Sequence, residues 1–351
     1  MDSTAPHEDP SRCMDLLQNT PLTLHYLTEG NANVIYSIAP ITSDPQIAAH
    51  DHCCVLRLRK DLPTTRPCIE NLSAIRERIT PLFERAYEDV LMPKMLYQLT
   101  PELLDQAKQI LAELDAECTE KGQSVRALGK SDISHPALEE EPHAVLMPNL
   151  RHGENALFRE FKPKWLRQSP NAPPGSRRCR TCAANGFKRA KGSKQGKGDS
   201  GFCPLDLLSD DPSLIQAILE KIDRTHGNST ELVDDFRRQV QPVLHHLADL
   251  QEEHHTKGLQ DASNPEHRDY AVAMALRDCS VFMVLNKSPG GKLSISRVKL
   301  ADLDLKISSS GNLDKWAKME SDLISTGAYT DATLSGSACA LERQQQNGEA
   351  H

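Results

Sequence analysis

A run of basic residues set inside an acidic protein constrains this chain most. Between Lys162 and Lys197 there are 11 lysines and arginines and no aspartate or glutamate, while all 351 residues carry a formal net charge of -8. Such a run repels itself unless the fold lays it against an anion. A generic nucleic-acid or anionic-membrane binder is basic throughout, so the overall charge excludes that class and confines any polyanion to one local patch. No apolar run approaches the ~18–20 residues of a membrane span, and Met1 to Arg12 lacks the apolar core of a signal peptide. Ten cysteines scattered over this length are not a disulfide framework, which points to a reducing, intracellular setting, cytoplasmic and/or nuclear.

The length suffices for two lobes. Residues 1–20 and 336–351 are polar and aperiodic and read as disordered ends. A β-rich N-terminal lobe is expected over 21–150 and a C-terminal lobe over 151–335. Leu22 to Leu27 and Val34 to Ile38 are β-type runs around Glu29-Gly30-Asn31-Ala32-Asn33, which suits a hairpin or glycine loop. Val55-Leu56-Arg57-Leu58-Arg59 alternates, so its arginines share one face of a strand. Leu103 to Leu114 repeats at helical spacing behind Pro101-Glu102. Ala144 to Met147 and Leu157 to Phe161 read as strands, and the Gly/Lys/Ser-rich stretch 188–201 as a mobile loop. Asp211-Pro212 starts a helix, and Leu232 to Leu250 continues as one, kinked at Pro242. Val281 to Leu285 and Leu293 to Leu300 form a hairpin through Pro289-Gly290-Gly291, followed by a helix carrying Leu313, Trp316, Met319 and Leu323. The class is α+β.

Asp278 and Asp302 bracket that hairpin. Two carboxylates so placed serve phosphoryl transfer, one accepting the proton of the attacking hydroxyl and the other holding Mg²⁺; as loop acids they simply face water. In Glu160-Phe161-Lys162-Pro163-Lys164 two lysines stand two apart on a segment that proline keeps out of helix, so both ammonium groups point the same way toward a phosphate-rich ligand. A nucleic-acid patch is the rival reading, weakened by the scarcity of aromatic residues for base stacking. Arg57 and Arg59 serve phosphates or face solvent. Cys179, Cys182 and Cys203 look like part of a zinc site. No fourth ligand stands out: His226 is far along the chain, and His245/His246 and His254/His255 lie in charged helical surroundings. Incidental cysteines are the expectation.

Taken in order, Glu29-Gly30-Asn31-Ala32-Asn33-Val34, Val55 to Lys60, Glu160 to Lys164, Cys203-Pro204-Leu205-Asp206-Leu207-Leu208, Arg277-Asp278-Cys279-Ser280 and Asp302-Leu303-Asp304-Leu305-Lys306 resemble the inositol-pentakisphosphate 2-kinase family, its fungal members most. The resemblance implies a two-lobed kinase distantly related to protein kinases, ATP and Mg²⁺ as cofactors, and phosphorylation of the 2-hydroxyl of inositol 1,3,4,5,6-pentakisphosphate to the hexakisphosphate. By that resemblance Gly30, Asn31, Ala32 and Asn33 cover the nucleotide, Arg57 reaches its phosphates, and Met147 and Asn149 belong to the hinge beside adenine. Lys162 and Lys164 hold substrate phosphates, Lys162 also close to the reaction. Asp278 stands at the accepting hydroxyl, Asp302 at the metal, and Lys306 at the substrate. Lys188 falls on a substrate lysine when Cys179 and Cys182 are aligned with the paired cysteines of animal members. Arg126 is the candidate for a substrate arginine upstream of the hinge, and Lys315 stands in for a helical arginine beyond Lys306. The His/Cys zinc pattern of plant members is absent. A monomer without membrane or nucleic-acid partners is expected. The alternatives are a kinase of another inositol phosphate and a non-enzymatic polyanion or RNA binder.

Overall fold

The computed structural model describes residues 10–63, 65–83, 86–121, 134–153, 156–192, 201–223, 230–254, 268–305, 312–331 and 339–348. Contacts divide the chain into two units, Met1–Arg76 with Met92–Glu154, and Glu77–Leu91 with Asn155–His351. Both mix helices with antiparallel sheet, as an α+β chain should. Arg126, Lys306 and the loop lysines Lys194 and Lys197 lie outside the described residues.

The first stretch runs α1 (Pro10–Leu17), β1 (Leu22–Glu29), β2 (Asn33–Pro40), α2 (Pro45–Ala48), β3 (Cys54–Arg59), α3 (Cys68–Arg78), β4 (Met95–Gln98), α4 (Pro101–Lys121) and β5 (His143–Pro148). Its sheet has the order β1-β2-β3-β5-β4, antiparallel throughout. Period-two alternation sends Val34, Tyr36 and Ile38 of β2 inward, where they meet Leu56 and Leu58 of β3 and Leu146 of β5. Edge strand β1 is capped by α4: the Gln106 side chain accepts from Leu24 N at 2.7 Å.

Three features of this unit correct or add to the sequence reading. The stretch read as a disordered N-terminus contains α1, whose Cys13, Met14 and Leu17 are buried in this core; they repeat at helical spacing and have an apolar surface to cover. Cys13 is joined to Cys53 in a disulfide, with Cys54 Sγ 3.2 Å from Cys13 Sγ, because α1 packs its cysteine face against the start of β3. Finally, β3 is an inner strand buried on both faces, so Arg57 and Arg59 do not face solvent. Arg59 pairs with the buried Glu141 at 3.0 Å, and Glu141 also accepts from Cys68 N at 2.8 Å.

The second unit carries β6 (Ala156–Phe161), α5 (Arg180–Ala190), α6 (Pro212–Ile222), α7 (Thr230–Gln239), α8 (Gln241–Glu253), α9 (Arg268–Asp278), β7 (Ser280–Lys287), β8 (Leu293–Ala301), α10 (Asn312–Ser325) and α11 (Ala340–Gly348), with a short 3-10 helix at Pro204–Leu208. Its sheet is antiparallel in the order β6-β7-β8. Asp211 caps α6 by accepting from Ser213 N at 2.9 Å. The helix expected through Pro242 is instead two, α7 and α8, divided at Val240; proline lacks the N–H that a continuous helix needs and starts the second one. α7 is pinned to β8 by Asp235, which accepts from Ile295 N at 3.0 Å, and by Gln239, which donates to Ile295 O at 2.9 Å. Gly291, at φ 81°, makes the β7–β8 turn. The stretch read as a disordered C-terminal tail contains α11, entered through buried Cys339 and Ala340. Among the described residues no helix is long and apolar enough to cross a membrane.

Candidate active site

Sheet register brings three strand ends together at one end of the β6-β7-β8 sheet. Phe161, the last residue of β6, lies opposite Val281, and Ser280, the first of β7, lies opposite Ala301, the last of β8. The chain therefore leaves β6 into Lys162, enters β7 from Asp278, and leaves β8 into Asp302 at the same place. Lys162 Nζ donates to the backbone O of Asp278 at 2.8 Å and lies 3.3 Å from Asp302 Oδ2 and 3.9 Å from Asp278 Oδ1. Lys164 Nζ lies 2.8 Å from Asp278 Oδ1. Two lysines and two aspartates thus form one partly exposed cluster.

Its geometry differs from the sequence expectation in one respect. The lysines do not converge by strand alternation, since β6 has ended and Lys164 sits at φ 57°; Asp302 sits at φ 58°. Both are left-handed conformations that side chains other than glycine's rarely take, costing about 1–3 kcal/mol each. The backbone inversion, not a two-residue period, turns Lys164 toward Asp278.

What holds that inversion is Gln251 on α8, 1% exposed. Its amide nitrogen donates to Lys164 O at 2.9 Å and to Leu276 O at 3.0 Å, and its side-chain oxygen accepts from Leu166 N at 2.8 Å. The buried Arg277 donates to Gln251 O at 3.1 Å, and its guanidinium lies 4.1 Å above the Trp165 ring. Burial lowers the Arg277 pKa to about 10. One glutamine so braces both the lysine segment and the last turn of α9.

Sequence reasoning also missed Ser280. Its hydroxyl is 2.8 Å from Glu160 Oε1 and 3.0 Å from Asp302 Oδ2, with one proton to share between two carboxylates. Burial opposes the charge on Lys162, but Asp302 and then Asp278 outweigh it and raise its pKa. Burial pushes the Cys279 thiol up to about 12, so it stays a neutral thiol among these charges. Asp302 and Glu160 offer the hard oxygen ligands that Mg²⁺ takes, and Asp302, with half its side chain exposed, leaves room for the waters that ion keeps.

The other predicted residues sit on other elements of the chain. Lys188 is exposed in the last turn of α5 and Lys315 is exposed on α10. In the first unit, Glu29 to Asn33 is a hairpin turn closed by Gly30 N donating to Asn33 O at 2.9 Å. Gly30 needs no unusual backbone, and a Cβ there meets nothing within 4 Å. The turn is braced from below by Lys60, fully buried, which pairs with Glu29 and donates to Gly30 O at 2.9 Å. Arg57 is buried on β3 opposite Ile35 and Val145. Met147 is half-buried near the end of β5, and Asn149 donates to His52 O through its side chain and to Cys53 O through its backbone, both at 2.8 Å. Cys179, Cys182 and Cys203 meet a fourth cysteine, Cys339, which the sequence did not single out.

The family model described as inositol-pentakisphosphate 2-kinase matches residues 26–241 and 230–322. The chain belongs to the inositol-pentakisphosphate 2-kinase family. A protein of Yarrowia lipolytica (strain CLIB 122 / E 150), named inositol-pentakisphosphate 2-kinase, is 31% identical to it over 311 residues, covering 86% of this chain and 91% of that one. The matched range takes in the glycine turn, the lysine pair, Asp278 and Asp302, and it stops short of Cys339 and α11.

Proposed function

We propose that this chain transfers the γ-phosphoryl group of ATP to the 2-hydroxyl of inositol 1,3,4,5,6-pentakisphosphate, giving the hexakisphosphate. The observation that carries the reading is the convergence of Lys162 and Lys164 on Asp278 and Asp302 at one end of the sheet. Five phosphate monoesters bring roughly -8 to -10 of charge, and paired ammonium groups on a braced backbone are the complement for it. Asp278 takes the proton of the accepting hydroxyl as its oxygen forms the new bond to phosphorus and the bond to the β-phosphate oxygen breaks. Lys162 touches both carboxylates and offsets the charge that develops between them. Asp302, with Glu160 and the shared Ser280 hydroxyl behind it, would hold Mg²⁺. Bound there, that ion neutralises charge on the transferred phosphoryl group.

The same reading gives the Gly30–Asn33 turn and Arg57 to the nucleotide phosphates, Met147 and Asn149 to adenine, and Lys188, Lys306, Arg126 and Lys315 to the substrate. It treats the chain as a monomeric, intracellular kinase distantly related to protein kinases, with lobes over 21–150 and 151–335 and no membrane or nucleic-acid partner.

The test is turnover of inositol pentakisphosphate with Mg-ATP. Alanine at both Lys162 and Lys164 should cut turnover by about a hundred-fold or more, since charge-assisted contacts are worth about 1.5–3 kcal/mol each. Alanine at Lys191, Lys194 and Lys197 should change it only a few-fold, mostly at low salt. A parent protein without ATP turnover, with equal losses of polyanion binding from both sets, would mark a non-specific binder and end the kinase reading.

A further inference from the structure

Four cysteines far apart in the chain meet at one point of the second unit. Cys179 precedes α5, Cys182 lies in its first turn, Cys203 precedes the 3-10 helix Pro204–Leu208, and Cys339 precedes α11. All four are buried, at 0%, 5%, 1% and 1% exposure. Their sulfurs all lie within 4.8 Å of one another, and both Cys179–Cys203 and Cys203–Cys339 are 3.8 Å apart. None of the four is in a disulfide. A tetrahedron of thiolates at the zinc–sulfur distance of about 2.3 Å has edges of about 3.8 Å. The backbone N–H of Cys179 points at Cys339 Sγ, 3.1 Å away, the kind of donor that supports a metal-bound thiolate.

We propose that Cys179, Cys182, Cys203 and Cys339 bind one structural Zn²⁺ ion. The sulfurs are too close together to surround an iron–sulfur cluster, so the site is mononuclear. An all-cysteine, closed and buried tetrahedral set is the structural type of zinc site, with no open position for catalysis. Four thiolates and one Zn²⁺ leave a charge of -2, and arginines flank the ligands: Arg178 and Arg180 beside Cys179, and Arg343 one turn beyond Cys339. The sequence pointed to incidental cysteines because Cys339 stands 136 residues beyond Cys203, in a stretch with no metal pattern of its own.

The ion joins three pieces of chain at one point. Around it Leu205, Ala340 and Leu341 supply a small apolar cluster, Arg343 pairs with Asp206, and Arg177 reaches Glu342 at 3.8 Å. From the zinc ligands the path to the active site is short. Arg180, next to Cys179, pairs with Glu320 of α10 at 3.1 Å, and its guanidinium lies 5.0 Å from the centre of the Trp165 ring, directly after Lys164. Zinc therefore fastens the C-terminal helix to α5 and, through Arg180 and Trp165, steadies the lysine segment. The proposal rests on the cysteines alone and stands whatever the substrate.

The test uses the full chain expressed with zinc in the medium. Elemental analysis should find one zinc per chain, lost in Cys339→Ser and in Cys179→Ser/Cys182→Ser and retained in Cys68→Ser, a buried cysteine of the first unit. If the serine variants fail to fold, X-ray absorption at the zinc edge of the wild-type protein decides. Four sulfur neighbours at about 2.3 Å are expected, and a shell containing nitrogen or oxygen overturns the assignment. Folded wild-type protein without stoichiometric metal, with iron in place of zinc, or with zinc that survives Cys339→Ser would each overturn it too.

Discussion

Replacing Gln251 by leucine tests whether the clustered lysines are held by hydrogen bonds or merely by packing. Leucine has a comparable volume and no polar atoms, so the change leaves Lys164 O, Leu276 O and Leu166 N without their side-chain partner in a site 1% exposed. A buried polar group deprived of its partner costs about 1–3 kcal/mol; three of them at the lower end of that range give about 3–5 kcal/mol, a large share of a typical total of about 5–15. At about 2–4 °C per kcal/mol for a unit of ~150–250 residues, Tm should fall by about 6–20 °C. Below the new transition kcat should drop while KM for ATP stays put, because the backbone that aims Lys164 at Asp278 has lost its brace. Gln251→Glu separates the explanations. It keeps shape and the acceptor for Leu166 N, but it sets a carboxylate oxygen against two carbonyl oxygens. Packing alone predicts near-wild-type behaviour for the glutamate variant, whereas the hydrogen-bond account predicts a loss at least as large as for leucine. Wild-type Tm and kcat in Gln251→Glu, or a loss under about 1 kcal/mol in Gln251→Leu, would refute the reasoning.

Asp302→Asn should abolish turnover with little loss of inositol-phosphate affinity, because on the proposed function the lost charge would hold metal rather than substrate; full activity would remove Asp302 from the mechanism. Asp278→Asn should lower kcat strongly while ATP still binds, since an amide cannot accept the hydroxyl proton; loss of nucleotide binding instead would show the acid misplaced. A third expectation concerns alkaline pH. Asp302 and Asp278 raise the Lys162 pKa above its ordinary 10.5, so its stabilisation is complete below that value and is lost as pH rises through the folded-state value. The stability gap between wild type and Lys162→Met, read by denaturant unfolding, should therefore be widest near neutral pH and shrink above about 10.5; a constant gap would mean that the charge contributes nothing.

Local periodicity made much of the sheet legible. Val34, Tyr36 and Ile38 alternate because one face of β2 is core, and Pro289-Gly290-Gly291 announces its turn because glycine alone takes φ 81° freely. β4 escaped because four residues behind Lys94 carry too little pattern to separate from coil. The acids and lysines were legible as residue types, but not the reason they meet. The left-handed turns at Lys164 and Asp302 are single-residue inversions held from outside, and Gln251 lies 87 residues from the Lys164 carbonyl it braces. Arg59 is another case: its strand position is visible, but its burial follows from Glu141, 82 residues away. Contacts of that span leave no trace in any local window.

On the proposed function, the paired cluster also accounts for how a protein of net charge -8 keeps two lysines ready for a polyanion. Lys162 and Lys164 pair with Asp302 and Asp278, so the cluster does not repel itself. These pairs are partly exposed, and such pairs are worth only about 0–1 kcal/mol each. A phosphate at about -1.5 to -2 is a stronger partner for the same ammonium group than a carboxylate at -1. On the proposed function, exchange of one for the other would therefore be downhill, and it would leave Asp278 able to accept a proton as the substrate arrives. The exchange asks only side-chain rotation of the lysines, because Gln251 has already fixed the costly backbone turn at Lys164 during folding. Binding and activation of the base are on this account the same event.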